Sequence, residues 1–180
     1  WIVPSRARPR ELARLVAAGI ATGMTTPALV RLDYDDPMLP AYKALPMPPG
    51  WEIAVEARVP LSQLYNGIFR ALPDLDFYGF LADDVVPETP GWDLALVETA
   101  GDDGMAVPAG GETTGGTPHF ALAGSLVREQ GWLCLPGLSR LFVDTTWADI
   151  ARDKGVLRHR PDIVLAHHHF SNGKALFDAT

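Results

Sequence analysis

Between Pro60 and Ala82 the chain changes its apolar period, and that change limits the folds open to it. Leu61, Leu64, Tyr65, Ile68, Phe69 and Leu72 recur at i, i+3, i+4, i+7, i+8 and i+11, one apolar stripe along a helix. "DFYGFLA" (76–82) follows as a strand apolar on both faces. Such a strand belongs inside a sheet covered by helices on both sides. The run then stops at two adjacent carboxylates, Asp83 and Asp84. Neighbouring like charges raise each other's pKa unless a cation or strong donors intervene. A solvated turn after a strand is the plainer explanation.

The first half carries the same alternation. "WIVP" ends a strand, and Leu12, Leu15, Val16 and Gly19 follow at helical spacing, with Pro9 suited to the first turn. "ALVRLD" (28–33) and "WEIAVEA" (51–57) read as the next strands. Strands alternating with helices predict an α/β protein, a three-layer α/β/α sandwich with a mainly parallel central sheet and a Rossmann-like first half. Ligands of such sheets bind beyond the carboxyl ends of the strands. Ser5 and Arg6 follow strand one, Asp33 and Asp35 strand two, and Asp83 and Asp84 strand four. The second half is less regular. "HFALAGSLVREQGW" contains a strand and a helix, "TTWADIARDKG" is a short helix stopped by Gly155, and "RPDIVLAHHHF" is an apolar strand running into three histidines. "PAGGETTGGTP" (108–118) reads as a mobile loop.

The 180 residues suit one domain. Hydrophobic residues at 47% and charged ones at 21% are enough for a core without disulfides or metal staples. The lone cysteine, Cys134 in "GWLCLPG", is expected to be a buried, inert thiol in a reducing compartment. No apolar run is long enough to span a bilayer and no signal-peptide pattern opens the chain, so a cytoplasmic location is expected. The net charge of -7 disfavours wholesale attachment to nucleic acid, although Arg6, Arg8, Arg10 and Arg14 form a local basic cluster.

Several polar residues stand out against that frame. In a strand His167 and His169 share a face and His168 points away, so one of the former, with carboxylates, could seat a divalent metal. His169, nearer the strand's carboxyl end, is slightly favoured; surface or packing roles are the alternative. Asn66 lies beside the helix stripe rather than in it, and with Gly67 it puts two weak helix formers into a good helix. Asp144 and Asp149 are the candidate acid–base carboxylates. Thr146 and Asp149 have capping-box spacing, which gives Asp149 a structural role and leaves Asp144 just before the helix.

Taken in order, "VPSRARP", "RLDYDD", "LSQLYNGIFRAL", "FLADDVVPETPGWD", "LFVDTTWADI" and "HHHFSNGKALFDAT" resemble a small nucleotide-sugar glycosyltransferase of the GT-A fold, of the short bacterial and phage kind akin to family 2. The resemblance implies a single domain with about 1–100 as a nucleotide-sugar-binding half and about 101–180 as an acceptor and catalytic half, and it implies roles. Pro4, Ser5, Arg6 and Arg8, with Asp33 favoured over Asp35, would hold the nucleobase and ribose. Asn66 would lie near the donor. Asp83 and Asp84 match the acidic motif that joins Mn²⁺ or Mg²⁺ to the donor diphosphate, and that cation would reconcile the two charges. Ala82 stands where the motif has its first Asp, so metal binding would rest on Asp84, with Asp83 turned towards ribose or sugar hydroxyls. His167 or His169 matches a late-strand metal ligand, and Asp144 the base of inverting members. A UDP-sugar is the favoured donor. The acceptor is open between a saccharide, a lipid-linked sugar, a protein and a hydroxymethylated base of phage DNA. Two other readings compete: a nucleotidyltransferase, although "VPSRARP" lacks the usual glycine, and a binding module that has lost its chemistry.

Overall fold

The computed structural model describes residues 1–109, 118–138 and 142–167. The chain divides into two compact units. The first comprises Trp1–Arg58, Leu81–Asp93 and Ile163–Thr180; the second comprises Val59–Phe80 and Leu94–Asp162.

In the first unit, β1 (Ile2–Pro4), β2 (Ala28–Asp33) and β3 (Trp51–Glu56) are parallel in the order β3-β2-β1, with Val3 opposite Val30 and Val30 opposite Ile53. Helix α1 (Pro9–Ala21) connects β1 to β2. Pro9 supplies its first turn, and Leu12, Leu15, Val16 and Gly19 form its buried face, as the spacing predicts. Each buried leucine contributes about 2 kcal/mol of transfer free energy. The short helix α2 (Leu39–Lys43) buries Tyr42. A separate antiparallel ribbon pairs β5 (Val85–Pro87) with β9 (Leu165–His167), setting His167 opposite Val85. The strand expected over "RPDIVLAHHHF" is thus three residues long within the described part, and the acidic pair stands in a turn before β5, as the plainer explanation has it, but a buried one rather than a solvated one. Asp93 Oδ2 accepts from Thr25 N, Thr26 N and Thr26 Oγ1, each at 2.8 Å, which fixes the approach to β2.

The second unit holds α3 (Leu61–Ala71), β4 (Phe77–Phe80), β6 (Met105–Pro108), β7 (Phe120–Ala123), α5 (Gly124–Gln130), α6 (Val143–Asp153), β8 (Leu157–Arg160) and α4 (Trp92–Ala100) from Leu94 onward. Its strands run β4-β7-β6-β8; both pairs involving β7 are antiparallel and β6-β8 is parallel. Phe80 stacks on Phe120 and on Tyr65, with ring centroids 4.4 and 4.3 Å apart. Along α3 Tyr65 is buried and its apolar neighbours half-buried, while Leu72, just past the end, is exposed. Gly124 begins α5 where its N–H bonds Asp76 O at 2.7 Å; a Cβ there would lie 1.9 Å from Leu75 O, so only glycine fits.

The capping-box expectation fails. Helix α6 begins at Val143, three residues earlier than Thr146, and Phe142 precedes it in a left-handed conformation (φ 69°). Thr146 lies inside the helix, its Oγ1 donating to Phe142 O at 2.7 Å, and Asp149 instead pairs with Arg152. Asp144 falls in the first turn, where a carboxylate complements the helix dipole. Among the described residues no helix is long and apolar enough to cross a membrane.

Candidate active site

The loop after β1 is tied down residue by residue within the first unit. Ser5 N–H donates to Arg31 O at 3.1 Å, extending the parallel ladder past Pro4. Arg6 Nη1 reaches Asp33 Oδ2 at 2.8 Å and Asp35 Oδ1 at 2.7 Å. These bonds, that to Asp35 first, raise the Arg6 pKa and lower that of Asp35. Ala7 adopts a left-handed conformation (φ 57°), costly for a residue with a Cβ. It is held there by its N–H, which donates to buried Asp36 Oδ2 at 2.8 Å; Asp36 Oδ1 accepts from Met38 N at 2.7 Å. Arg8 N–H donates to Tyr42 Oη at 2.7 Å.

The acidic pair lies against this loop. Asp83 is fully buried and Asp84 is 5% exposed. The Arg8 guanidinium forks across both, Nη2 on Asp83 Oδ1 and Nη1 on Asp84 Oδ2, the latter at 3.2 Å. Arg8, expected at a nucleobase, thus supplies between the carboxylates the positive charge expected of a metal. Asp83 Oδ2 accepts from Ser5 Oγ at 2.5 Å, and Ser5 Oγ lies 2.7 Å from Tyr42 Oη. Proton counting orders this chain when Asp83 is ionised. Ser5 gives its one proton to Asp83, so Tyr42, accepting from Arg8 N–H, donates to Ser5.

Environment drives the two carboxyls apart. Burial pushes Asp83 up to about 6 against the opposing pull of Arg8 and Ser5. Burial also acts upward on Asp84, but the neighbouring His167 imidazole, with Arg8, outweighs it and holds it at about 2. Burial lifts Tyr42 to about 12, so the relay hydroxyl stays protonated. Asp84 is therefore the permanent anion of the pair.

His167 Nε2 lies 3.1 Å from Asp84 Oδ1, a distance set by the β5-β9 register. Asp84 Oδ1 is buried and has no hydrogen-bond partner. Two ligands about 2.1 Å from an octahedral dication, at right angles, stand about 3 Å apart. The Asp84–His167 spacing therefore fits Mn²⁺ or Mg²⁺. Among the described residues no three His, Cys, Asp or Glu side chains cluster to hold a metal by themselves. Dications of this kind routinely complete their shell with water and substrate phosphate. His169, the favoured ligand, and His168 lie outside the described residues, as does most of the 108–118 loop.

The remaining candidates belong to the second unit. Asn66 Oδ1 accepts from Leu133 N and Cys134 N, both at 2.8 Å, and its Nδ2 donates to Cys134 O at 2.8 Å. This carboxamide, expected near a donor, latches the segment after α5 onto α3. Burial raises the Cys134 thiol to about 12, in keeping with an inert role. Asp144 is partly exposed and Asp149 exposed. Tyr42 and Asp36 join this loop without being candidates in the sequence. An Asp before Pro37 is a turn signal that could have found Asp36; Tyr42 carries none.

No known protein family and no curated protein matches the chain. Solved structures do resemble it. A mannosyltransferase from Pyrobaculum calidifontis, in complex with GDP-Man and Mn²⁺, is 12% identical with a TM-score of 0.66; the match covers 91% of this chain but only 55% of the other, so this chain spans about half its length. The Rv0371c homologue from Mycobacterium sp. strain JC1 is 14% identical with a TM-score of 0.56, over 88% of this chain and 83% of the other. Rv0371c from Mycobacterium tuberculosis, in complex with manganese, is 13% identical with a TM-score of 0.56, over 88% and 84%. At these identities the likeness is one of fold, and it bears out the GT-A-like α/β architecture expected from the sequence.

Proposed function

We propose that the chain is a metal-dependent glycosyltransferase that takes a nucleoside-diphosphate sugar as donor and a hydroxyl as acceptor. One observation carries this reading: a buried acidic pair just before β5, with Asp84 Oδ1 lacking a hydrogen bond and 3.1 Å from His167 Nε2. Two structural neighbours bearing manganese in their complexes, one also with GDP-Man, support it. When bound at Asp84 and His167, a divalent cation supplies a Lewis acid for the departing diphosphate.

The chain's own residues have separable tasks. Ser5 and Tyr42 fix Asp83, leaving Asp84 to face the cation. Arg6 and Asp33, locked together beside the strand-one loop, offer ribose and base contacts with Pro4. Asp144 takes the acceptor proton, as a partly exposed carboxylate can. A UDP-sugar is the first donor to test and GDP-mannose the second. Saccharides and hydroxymethylated-pyrimidine DNA are the first acceptors, the net charge of -7 weighing against DNA.

A second reading, a nucleotide-sugar-binding module without turnover, draws on Arg8 already neutralising part of the pair and on Ala82 in the motif. Release of nucleoside diphosphate from each donor, with Mn²⁺ or EDTA and with each acceptor, separates the two. Mn²⁺-dependent release establishes the transferase. Mn²⁺-dependent binding without release favours the module, and pyrophosphate release from a nucleoside triphosphate and a sugar phosphate overturns both.

A further inference from the structure

We propose that Arg8 is the resident counter-cation of the acidic pair and makes uptake of a divalent cation conditional on a diphosphate. The inference rests on the nucleotide-sugar reading above and concerns how that site is controlled.

Asp83 and Asp84 are almost wholly removed from water, so their charges need a partner inside the protein. Arg8 is that partner, and it touches both carboxylates with one planar group. Its grip is uneven. Asp83 is fully buried, whereas the Arg8 bond to Asp84 is 3.2 Å, at the long limit for a charged pair. Asp84 Oδ1, the atom facing His167, belongs to the same carboxylate whose Oδ2 Arg8 holds.

Arg8 and a dication on Asp84 would thus be like charges sharing one carboxylate. Their repulsion opposes metal uptake while Arg8 keeps its fork in place. A diphosphate changes the balance, because its oxygens accept the guanidinium in the same bidentate geometry that the carboxylates now use. The backbone is prepared for such an exchange. Arg8 N–H is fixed to Tyr42 Oη at 2.7 Å and Pro9 follows in the first turn of α1, so the side chain can turn without the loop moving. That side chain is 26% exposed, open to a ligand on one side.

The test is calorimetric titration of the full chain with MnCl₂, alone and with saturating UDP, GDP or the matching nucleoside. Wild type should bind Mn²⁺ at least about tenfold more tightly with a diphosphate, and no more tightly with the nucleoside. Arg8→Gln should bind Mn²⁺ alone at least about tenfold more tightly than wild type, and a diphosphate should then add less than about threefold. Should Arg8→Gln fail to fold with Asp83 left unpaired, Arg8→Lys serves. It keeps the charge but not the fork, so Mn²⁺ alone stays weak while the diphosphate gain shrinks. A diphosphate gain as large in the Arg8 variants as in wild type, or an equal gain from the nucleoside, overturns this inference and leaves the transferase reading standing. No Mn²⁺ binding under any condition overturns both.

Discussion

The two units treat their carboxylates in opposite ways. In the first, Asp83 and Asp84 have exchanged water for a guanidinium, a serine hydroxyl and an imidazole, and their pKa values are driven in opposite directions. In the second, Asp144 and Asp149 sit on one helix and keep much of their hydration. Removing two charges from water costs several kcal/mol each unless partners are in place. A fold that accepts such a cost in the turn before β5 and avoids it on α6 concentrates electrostatic work at the acidic pair. The difference also separates two kinds of role. Buried anions hold a cation or a diphosphate, whereas a group that collects a proton from an incoming hydroxyl needs access.

The sharpest way to break this comparison is to remove one charge from each side. Asp84→Asn takes away the permanent anion. It should abolish the extra melting-temperature gain that Mn²⁺ gives to a nucleoside diphosphate over EDTA, a loss of about hundredfold or more in coupled affinity. If that variant keeps the full Mn²⁺-dependent shift, the metal seat lies elsewhere.

Asp144→Asn should do the reverse. It should leave the Mn²⁺-dependent shift intact and lower the transfer rate about a hundredfold, the usual scale for acid–base groups. A wild-type rate would strip Asp144 of the base role and favour a retaining mechanism without a protein base.

Asn66 sharpens the contrast from the scaffold side. Its three hydrogen bonds fasten Leu133 and Cys134, so Asn66→Ala should cost about 3 kcal/mol of stability, with the backbone groups left unpaired. Denaturant melts should register that loss, while Mn²⁺ affinity stays at the wild-type value. A large fall in donor affinity at undiminished stability would return Asn66 to the donor site.

Which of these roles were legible in the sequence follows from the range of the interactions. Helices α1 and α3 and strands β2 and β3 carry their own periodicity, so local pattern located them. Strand β8, "LRHR", reads as surface because its arginines find partners far away in sequence. Arg158 bonds Ala100 O and Arg160 bonds Thr99 Oγ1, capping the end of α4. Helix α4 itself, "WDLALVETA", is apolar on too many sides to show a stripe. The acidic pair announced itself because two adjacent carboxylates end an apolar run. Tyr42 did not, since its importance arises only when folding brings it to Ser5, 37 residues away. The answer to the pair's charge, Arg8, was visible as a residue but not as a partner for the same reason.

Cys134 tests burial in the second unit through pH. Its folded pKa of about 12 exceeds the ordinary 9.0, so the unfolded chain loses the thiol proton first. The neutral thiol's contribution is fully present below pH 9 and is lost as pH rises towards 12. By pH 10 this should cost the wild type about 1 kcal/mol relative to its value at pH 8, a loss that Cys134→Ala should not share. Parallel pH dependence in the two proteins would mean that the thiol is open to water.

The smallest effect belongs to Asp149, and it decides whether the second unit holds one candidate carboxylate or two. Asp149 is exposed and pairs with Arg152, three residues on, at 2.5 Å. Surface pairs at this spacing contribute about 0.3–0.5 kcal/mol. A capping box would have made Asp149 worth about 1 kcal/mol, but α6 starts at Val143 and Thr146 turns back to Phe142 O, which removes that role. Asp149→Asn should therefore lower the melting temperature by less than about 2 °C in a chain of this size and leave the transfer rate unchanged. A loss of rate comparable to that of Asp144→Asn, with stability intact, would put both carboxylates of α6 in the chemistry and undo the contrast between a buried, charge-holding unit and one with a single accessible base.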